Sequence, residues 1–413
     1  MYYQRNNVSV YHGDNRVVLP TLGLNVFDGV CTDSPYGLGF MGKQWDHGVP
    51  GPEYWSAIKD ACKPGAAMLA FGGTRTYHRL ACAIEAAGWE IRDCLMWLYS
   101  SGFPKSLDIS KALDKRQGFW RGKAGEVAGQ SVAMSGPHYE RTPKGEPITD
   151  EARKFDGYGT ALKPAWEPII LAMKPLDGDF AANAAKWGVA GLNIDGARIP
   201  ANGDKLGGSA IGPTTAGWDR PWKHDEEAVA ARRERSRLNV AKAEALGRWP
   251  ANLLLDEEAA AMLDKQCPIS KAKKGRVGKV GGSGFPGFTD PDREGTWPDD
   301  PGGGVSRFFY CSKASRNERN WGLAGMPELP VSGTGKFHLA AQQNNHPTVK
   351  PLALMRYLLT LLRTPSGGLF LDPFAGSGST LLAALQLGLG CVGIELEEAY
   401  CQIIRGRLEG CVP

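Results

Sequence analysis

No stretch of the 413-residue sequence stays apolar over the roughly 20 residues that a membrane-spanning helix needs. The opening Met1-Tyr2-Tyr3-Gln4-Arg5 is not followed by the apolar segment of a secretory signal. Cysteine is scarce in any useful pattern: there are nine, an odd number, and none are spaced Cys-x-x-Cys. That argues against a disulfide framework and a zinc site, and it fits a reducing compartment. The expectation is a soluble, cytoplasmic protein without a metal. Charge of one sign is lacking too. Lysine and arginine number 48 against 44 acids, a net +4, which permits a nucleic-acid partner without demanding one. There is no internal repeat.

The two ends of the sequence are its regular parts. Val8–Tyr11, Val26–Thr32, Ala66–Phe71 and Trp89–Tyr99 read as strands, and Tyr77–Ala87 has helical spacing up to Gly88. Glu167–Ala172 returns to strand character. Late in the chain, Leu352–Leu362, Ser379–Leu387 and Glu397–Leu408 read as helices around the strands Leu369–Leu371 and Cys391–Ile394. Short apolar strands alternating with helices predict an α/β fold with a mainly parallel sheet and helices on both faces. With 54 glycines and 28 prolines, long loops are expected as well. Lys111–Tyr158 is polar and glycine-rich, and residues 181 to 329 are the least regular. That region holds a basic helical stretch (Ala228–Arg248), a cluster of Lys271, Lys273, Lys274, Arg276 and Lys279, and a Gly/Pro/Asp-rich run from 281 to 304. Trp218, Trp222 and Trp249 are expected to pack in a small core.

Two motifs carry chemistry. Asp33-Ser34-Pro35-Tyr36 follows the Val26–Thr32 strand and sets a carboxylate, a rigid proline and an aromatic ring side by side. A carboxylate and a free carbonyl can accept hydrogen bonds from an exocyclic amine, and the ring can stack. Alone, these four residues fit an ordinary turn better. The second motif, Leu371-Asp372-Pro373-Phe374-Ala375-Gly376-Ser377-Gly378-Ser379-Thr380, is a glycine-rich turn between strand and helix. Gly376 and Gly378 let the backbone approach a ligand. Glu395 lies 395 − 376 = 19 positions after Gly376, near the roughly 20-residue spacing at which an acid reaches ribose hydroxyls. No Walker lysine follows the turn. Asp372 suits a cationic ligand better than a pyrophosphate, and S-adenosyl-L-methionine, with its ammonium and sulfonium, fits. A turn whose glycines serve packing alone is the competing reading.

In this order the motifs resemble those of the amino-methylating DNA methyltransferases, which methylate N6 of adenine or N4 of cytosine. The (D/N/S)-P-P-(Y/F) motif of that family is matched at Asp33–Tyr36, with Ser34 replacing the first proline, and its F-x-G-x-G motif at Phe374–Gly378. A catalytic motif ahead of the cofactor motif is similar to the family's β-type order, in which target recognition is encoded between them. Gly13-Asp14 matches the place of an acid near the cofactor adenine. His346-Pro347-Thr348-Val349-Lys350-Pro351 resembles the segment that closes over the methionine moiety. The matched blocks cover roughly residues 8–110 and 335–410.

The resemblance implies a Rossmann-like S-adenosylmethionine-dependent methyltransferase sheet with an inserted target-recognition region. Residues 1–110 would be its catalytic half, 111–165 a loop-rich insertion and 166–182 a return to the sheet. Residues 183–330 would recognise DNA, and 331–413 would form the cofactor-binding half. Asp33, Ser34, Pro35 and Tyr36 become catalytic groups acting on a flipped-out base. Cofactor contacts fall to Asp14, Asp33, Thr348, Lys350, Asp372, Pro373, Phe374, Gly376, Ser377, Gly378, Thr380 and Glu395. Lys271, Lys273, Lys274, Arg276 and Lys279 would meet phosphates of double-stranded DNA. The aspartate points to N6 of adenine. Ser-Pro-Tyr also echoes N4-cytosine enzymes, so cytosine is the alternative, and an inactive DNA-binding protein is the reading from another class. Cys31 reads as a core thiol, His346 has no partner at metal-ligand spacing, and the oligomeric state, homodimer included, is left open.

Overall fold

A computed structural model describes residues 1–39, 46–100, 102, 106–119, 121, 145–201, 225–267, 277–279, 294–296, 303–312, 318–323, 343–344, 346 and 349–411. The chain divides into two compact units, Met1–Tyr99 with Trp166–Pro413, and Ser100–Ala165. The larger unit opens with β1 (Tyr3–Arg5), β2 (Val8–His12), α1 (Asn15–Leu22), β3 (Phe27–Thr32), α2 (Pro52–Ala61), β4 (Cys62–Phe71), α3 (Tyr77–Ala86) and β5 (Glu90–Leu98). The smaller unit holds α4 (Ile109–Arg116) and α5 (Asp150–Lys154). The chain then resumes with β6 (Trp166–Met173), α6 (Phe180–Trp187), α7 (Glu226–Leu246), β7 (Leu253–Asp256) and α8 (Glu257–Gln266). A short antiparallel pair, β8 (Val277–Lys279) and β9 (Glu294–Thr296), and β10 (Tyr310–Ser312) follow. The last elements are α9 (Leu352–Leu362), β11 (Leu369–Asp372), α10 (Ser379–Gln386), β12 (Gly390–Glu395) and α11 (Glu398–Gly410).

Ten strands form one sheet in the order β1-β2-β12-β11-β3-β4-β6-β5-β7-β10. Pairing is parallel except for β1 on β2 and for β6, which runs antiparallel to both β4 and β5. The centre lies where β11 pairs with β3. From there β12 and β2 lie to one side, and β4, β6 and β5 to the other. In open parallel sheets the crevice beyond the strand C-termini at such a reversal is where ligands bind.

Alternation along the strands explains why both faces are covered. In β4, Ala67, Leu69 and Phe71 join one apolar cluster, while Ala66, Met68 and Ala70 join the other. In β6, Ile169 and Leu171 face the first cluster, and Ile170 and Ala172 the second. Each fully buried leucine, isoleucine, methionine or phenylalanine among them contributes about 1.5–3 kcal/mol. Leucines of α9, α10 and α11 cover one face, and Leu19, Trp55, Ile58, Leu80 and Ile84 of α1, α2 and α3 cover the other. Cys31 is fully buried in the first cluster, and burial pushes its thiol well above the usual range.

The irregular middle of the sequence contributes more to the sheet than its pattern suggests. β7 pairs with β5 and β10 with β7, extending the sheet by two short strands. At four and three residues, these strands are too short to show a period. In the smaller unit, polar groups do the holding. The buried Asp114 carboxylate accepts from the Arg121 guanidinium, the backbone N–H groups of Ile148 and Thr149 and the Thr149 hydroxyl. Burial opposes its charge, but these donors prevail and hold its pKa at about 2.

Trp249 departs from the expected core position. It is 65% exposed, and the Arg198 guanidinium lies 5.2 Å from its ring centre. A cation rather than apolar neighbours covers it. Trp218 and Trp222 lie outside the described residues. No described helix is long and apolar enough to cross a membrane.

Candidate active site

β3 delivers Asp33-Ser34-Pro35-Tyr36, and β11 delivers the glycine-rich turn, at the same edge of adjacent strands. The two ends are joined directly: the Thr32 hydroxyl donates to Asp372 Oδ1 at 2.7 Å. Asp372 is buried, and burial lifts its pKa to about 6 even though Thr380, Thr32 and the Phe374 N–H donate to it. Three of the predicted residues, Asp372, Phe374 and Thr380, thus meet Thr32, the residue before the Asp33 motif, across 340 positions of sequence.

The altered second residue of the first motif has a structural use. The Ser34 hydroxyl donates to the Phe71 carbonyl at the end of β4, 3.1 Å away. A proline ring there could not make that tie. Tyr36 is held at three points. Its carbonyl accepts from the Thr76 hydroxyl at 2.6 Å, its own hydroxyl donates to Glu167 Oε2 at 2.8 Å, and the Lys350 ammonium lies 5.4 Å from its ring centre. Burial, with Asp33 and Glu167 nearby, raises the phenol well above its usual pKa. The buried Asp46 carboxylate accepts from the N–H groups of Gly37 and Leu38 and so staples the chain just beyond the motif.

Lys350 is the centre of charge. Its ammonium is 2.7 Å from Asp33 Oδ2, 3.1 Å from the Tyr36 hydroxyl and 3.3 Å from Glu167 Oε2, with 6% of the side chain exposed. Burial works against the charge, but Asp33 and Glu167 outweigh it and lift the lysine above its ordinary value. The other oxygen of Asp33, Oδ1, is buried without a hydrogen-bond partner among the described residues. Such an atom is costly to leave unpaired. It is an acceptor that a donor from a ligand would satisfy.

On the β11 side the backbone makes the cradle. Gly376 and Gly378 have φ of +53° and +81°, a region open to glycine at little cost. A Cβ on Gly376 would also lie 2.8 Å from His346 Nε2. Glu395 accepts from the N–H of Gly376 at 2.7 Å and of Glu397 at 2.8 Å. Burial raises its pKa to about 7 against the pull of those two donors. Asp14 caps α1 through the Arg16 N–H and also binds the Arg16 guanidinium. That guanidinium covers the Tyr54 ring at 4.3 Å, and Tyr54 sits 6.2 Å from the Phe374 ring. Asn15 donates to the Pro373 carbonyl at 3.2 Å, and its own side-chain oxygen is buried without a partner among the described residues. Ser377 is buried over Arg407, whose guanidinium donates to the Ser377 carbonyl at 2.6 Å.

Sequence reasoning passed over Glu167, Thr76, Asp46 and Asn15. Asn15 had a signal in its position beside Gly13-Asp14, and Glu167 in being an acid at the start of an apolar strand. Thr76 and Asp46 had none. Thr348, Lys271, Lys273, Lys274 and Arg276 lie outside the described residues, as does the side chain of Lys279, whose backbone is in β8. Among the described residues no group of three or more His, Cys, Asp or Glu could hold a metal ion.

The site can take a flat ring against Tyr36, accept amine hydrogens at Asp33, and hold a cation-bearing, nucleoside-like ligand over the β11 turn. Comparison with known proteins points the same way. The type II methyltransferase M.ScaI of Streptomyces caespitosus is 38% identical over 82 residues, 20% of this chain and 27% of that protein. The type II methyltransferase M2.DpnII of Streptococcus pneumoniae is 45% identical over 64 residues, 16% of this chain and 24% of that one. The chain thus spans about a quarter of the length of these curated relatives. The crystal structure of M1.HpyAVI aligns over 97% of this chain and 98% of that one at 13% identity, with a TM-score of 0.39, too low to carry weight. A family model described as DNA methylase, that of the N6/N4 methyltransferases, matches residues 27–406. With most of its length under that match, and its two motifs meeting at one sheet edge, the chain belongs to the N6/N4 DNA methylase family.

Proposed function

We propose that the protein transfers a methyl group from S-adenosyl-L-methionine to the exocyclic N6 of an adenine flipped out of double-stranded DNA. The observation that carries this reading is Asp33 Oδ1, buried and without a partner among the described residues, at the strand end beside the β11 turn. It is a hydrogen-bond acceptor placed where an amine must be held against a methyl donor.

S-adenosyl-L-methionine, when bound, supplies a methyl made electrophilic by its sulfonium. The residues suited to hold it are Asp372, the Phe374–Gly378 turn, Glu395 and Asp14. Extruding a paired base costs about a few kcal/mol, and stacking on Tyr36 offsets part of it. Glu167, Thr76 and Lys350 fix that ring before the base arrives. Asp33 and the Ser34 carbonyl accept the two amino hydrogens and draw the nitrogen lone pair out of ring conjugation. Positioning and fixed dipoles supply the catalysis, with no covalent intermediate on the enzyme.

Adenine is favoured over cytosine because Asp33 leads the motif, while the Ser34 hydroxyl is committed to Phe71. A further relative, 38% identical over 72 residues, is named DNA adenine methyltransferase YhdJ of Escherichia coli (strain K12). Expression in a methylation-free host, followed by nucleoside mass spectrometry and single-molecule sequencing of its DNA, tests the reading. N6-methyladenine in a defined sequence context is the expected result. N4-methylcytosine would reassign the base, and unmodified DNA would overturn the activity.

A further inference from the structure

The mouth of the site on the β4–β6 side carries side chains to which the reaction gives no task. β4 ends at Phe71, and the turn Gly72-Gly73-Thr74-Arg75-Thr76 leads into α3. This turn touches the catalytic motif. Thr76 donates to the Tyr36 carbonyl, and a Cβ on Gly73 would lie 3.2 Å from the Tyr36 ring. Just beyond, Arg75, Tyr77, His78 and Arg79 are all exposed. Neither guanidinium has a hydrogen bond or ion pair among the described residues. The Tyr77 ring meets the Trp166 ring edge-on at 6.4 Å, and Trp166 directly precedes Glu167, which holds the Tyr36 hydroxyl.

Among the described residues, surface Arg16, Arg92, Arg153 and Arg405 pair with acids, whereas Arg116, Arg235, Arg237 and Arg363 do not. Arg75 and Arg79 likewise have none, and between them in the chain stands the exposed Tyr77, its ring against the half-buried Trp166. Guanidinia without acid partners, flanking an exposed tyrosine that is backed by a half-buried tryptophan, match a nucleic-acid strand, with its phosphates and flat bases. Their place is also suited to that partner. They stand at the strand edge that carries Tyr36, on the side of β3 away from the β11–β12 cofactor turn.

We propose that Arg75, Tyr77, Arg79 and Trp166 form a DNA-docking edge of the methyltransferase sheet itself. Arg75 and Arg79 bind backbone phosphates flanking the extruded nucleotide, and the Tyr77–Trp166 pair packs against its neighbour on the same strand. This edge is separate from the lysine cluster at 271–279, and it rests on the reading of DNA as substrate.

The test uses the full chain and a fluorescein-labelled mixed-sequence duplex, titrated from about 50 to 200 mM salt. Each phosphate contact adds about 0.9 to the slope of log affinity against log salt, so R75A/R79A should flatten it by about 1.8. Melting temperature and cofactor affinity should stay at the wild-type values. Y77A should weaken DNA binding about fivefold or more with the salt slope intact. R75K/R79K should keep the slope, and R363A/R405A, with the same charge loss elsewhere, should also keep it. An unchanged slope in R75A/R79A, or an equal loss in R363A/R405A, would overturn the edge while leaving the proposed reaction standing. Wild-type protein that binds no duplex at any salt would overturn both.

Discussion

The Lys350 ammonium sits 2.7 Å from the Asp33 carboxylate, joining side chains 317 positions apart in the sequence. A buried ammonium is tolerated only with close acceptors, and here Asp33 and Glu167 both serve. The lysine thereby holds one Asp33 oxygen, while the other is buried without a hydrogen-bond partner among the described residues. The Asp33–Tyr36 segment is held by a residue more than 300 positions away in the sequence.

Asp33→Asn keeps the side-chain shape and removes the charge-bearing acceptor. Methyl transfer measured with labelled S-adenosylmethionine should fall about 100-fold or more. Cofactor affinity by calorimetry should persist, because Asp372 and Glu395 are untouched. Near-normal turnover would refute the role given to Asp33.

Glu167→Gln should act on the chemistry rather than on cofactor binding. It weakens the hold on the Tyr36 hydroxyl and removes one of the two charges around Lys350. Single-turnover rates are expected to fall about tenfold, with a smaller change in KM for DNA. Glu167→Ala should in addition cost about 1–3 kcal/mol of stability, since it leaves buried donors unpaired. Wild-type rates in both variants would mean that Glu167 does not position the site.

Glu395 and Asp372 predict a pH dependence. Burial lifts them to about 7 and about 6, above their ordinary carboxylate values. A carboxyl with a raised folded-state pKa holds its proton more tightly when folded. Its stabilising effect is complete below the unfolded value and is lost as pH rises through the folded one. The melting temperature without cofactor should therefore decline between about pH 4 and pH 7, and Glu395→Gln should flatten part of that decline. Cofactor at 100 times its Kd should add about 2.7 kcal/mol. A pH profile of the variant that overlays the wild type would rule out Glu395 as the source.

Gly376→Ala places a methyl 2.8 Å from His346 Nε2 at a residue with φ of +53°. The left-handed conformation alone costs about 1–2 kcal/mol in a non-glycine residue. Both melting temperature and cofactor affinity should fall. Unchanged cofactor affinity would show that the turn tolerates a different path.

Much of the fold was legible because its signals are local. The apolar run in β4, the glycines after β11 and the helical spacing of α9 each declare themselves within a dozen residues. α1 escaped notice because Pro20 lies inside it, and α2 because only Trp55, Ile58 and Ala61 of its ten residues are buried. β7 and β10 are too short to show a period. α4 and α5 were hidden for another reason: their unit is organised around the buried polar Asp114, which a hydropathy pattern registers as surface.

The sequence by itself determined the two strand–turn motifs, their order, and so the family and the likeness to a cofactor site. Those properties lie in contiguous residues whose types restrict the backbone directly. Only the tertiary structure decided what surrounds Asp33 and Tyr36. β6 runs antiparallel between β4 and β5, and that reversal brings Glu167 to the edge where β3 ends. The parallel pairing of β11 with β3 brings Asp372 against Thr32. A hydrogen bond between residues 131 or 340 positions apart leaves no periodic trace in the chain. It exists only once burial of the apolar faces has fixed which strands are neighbours.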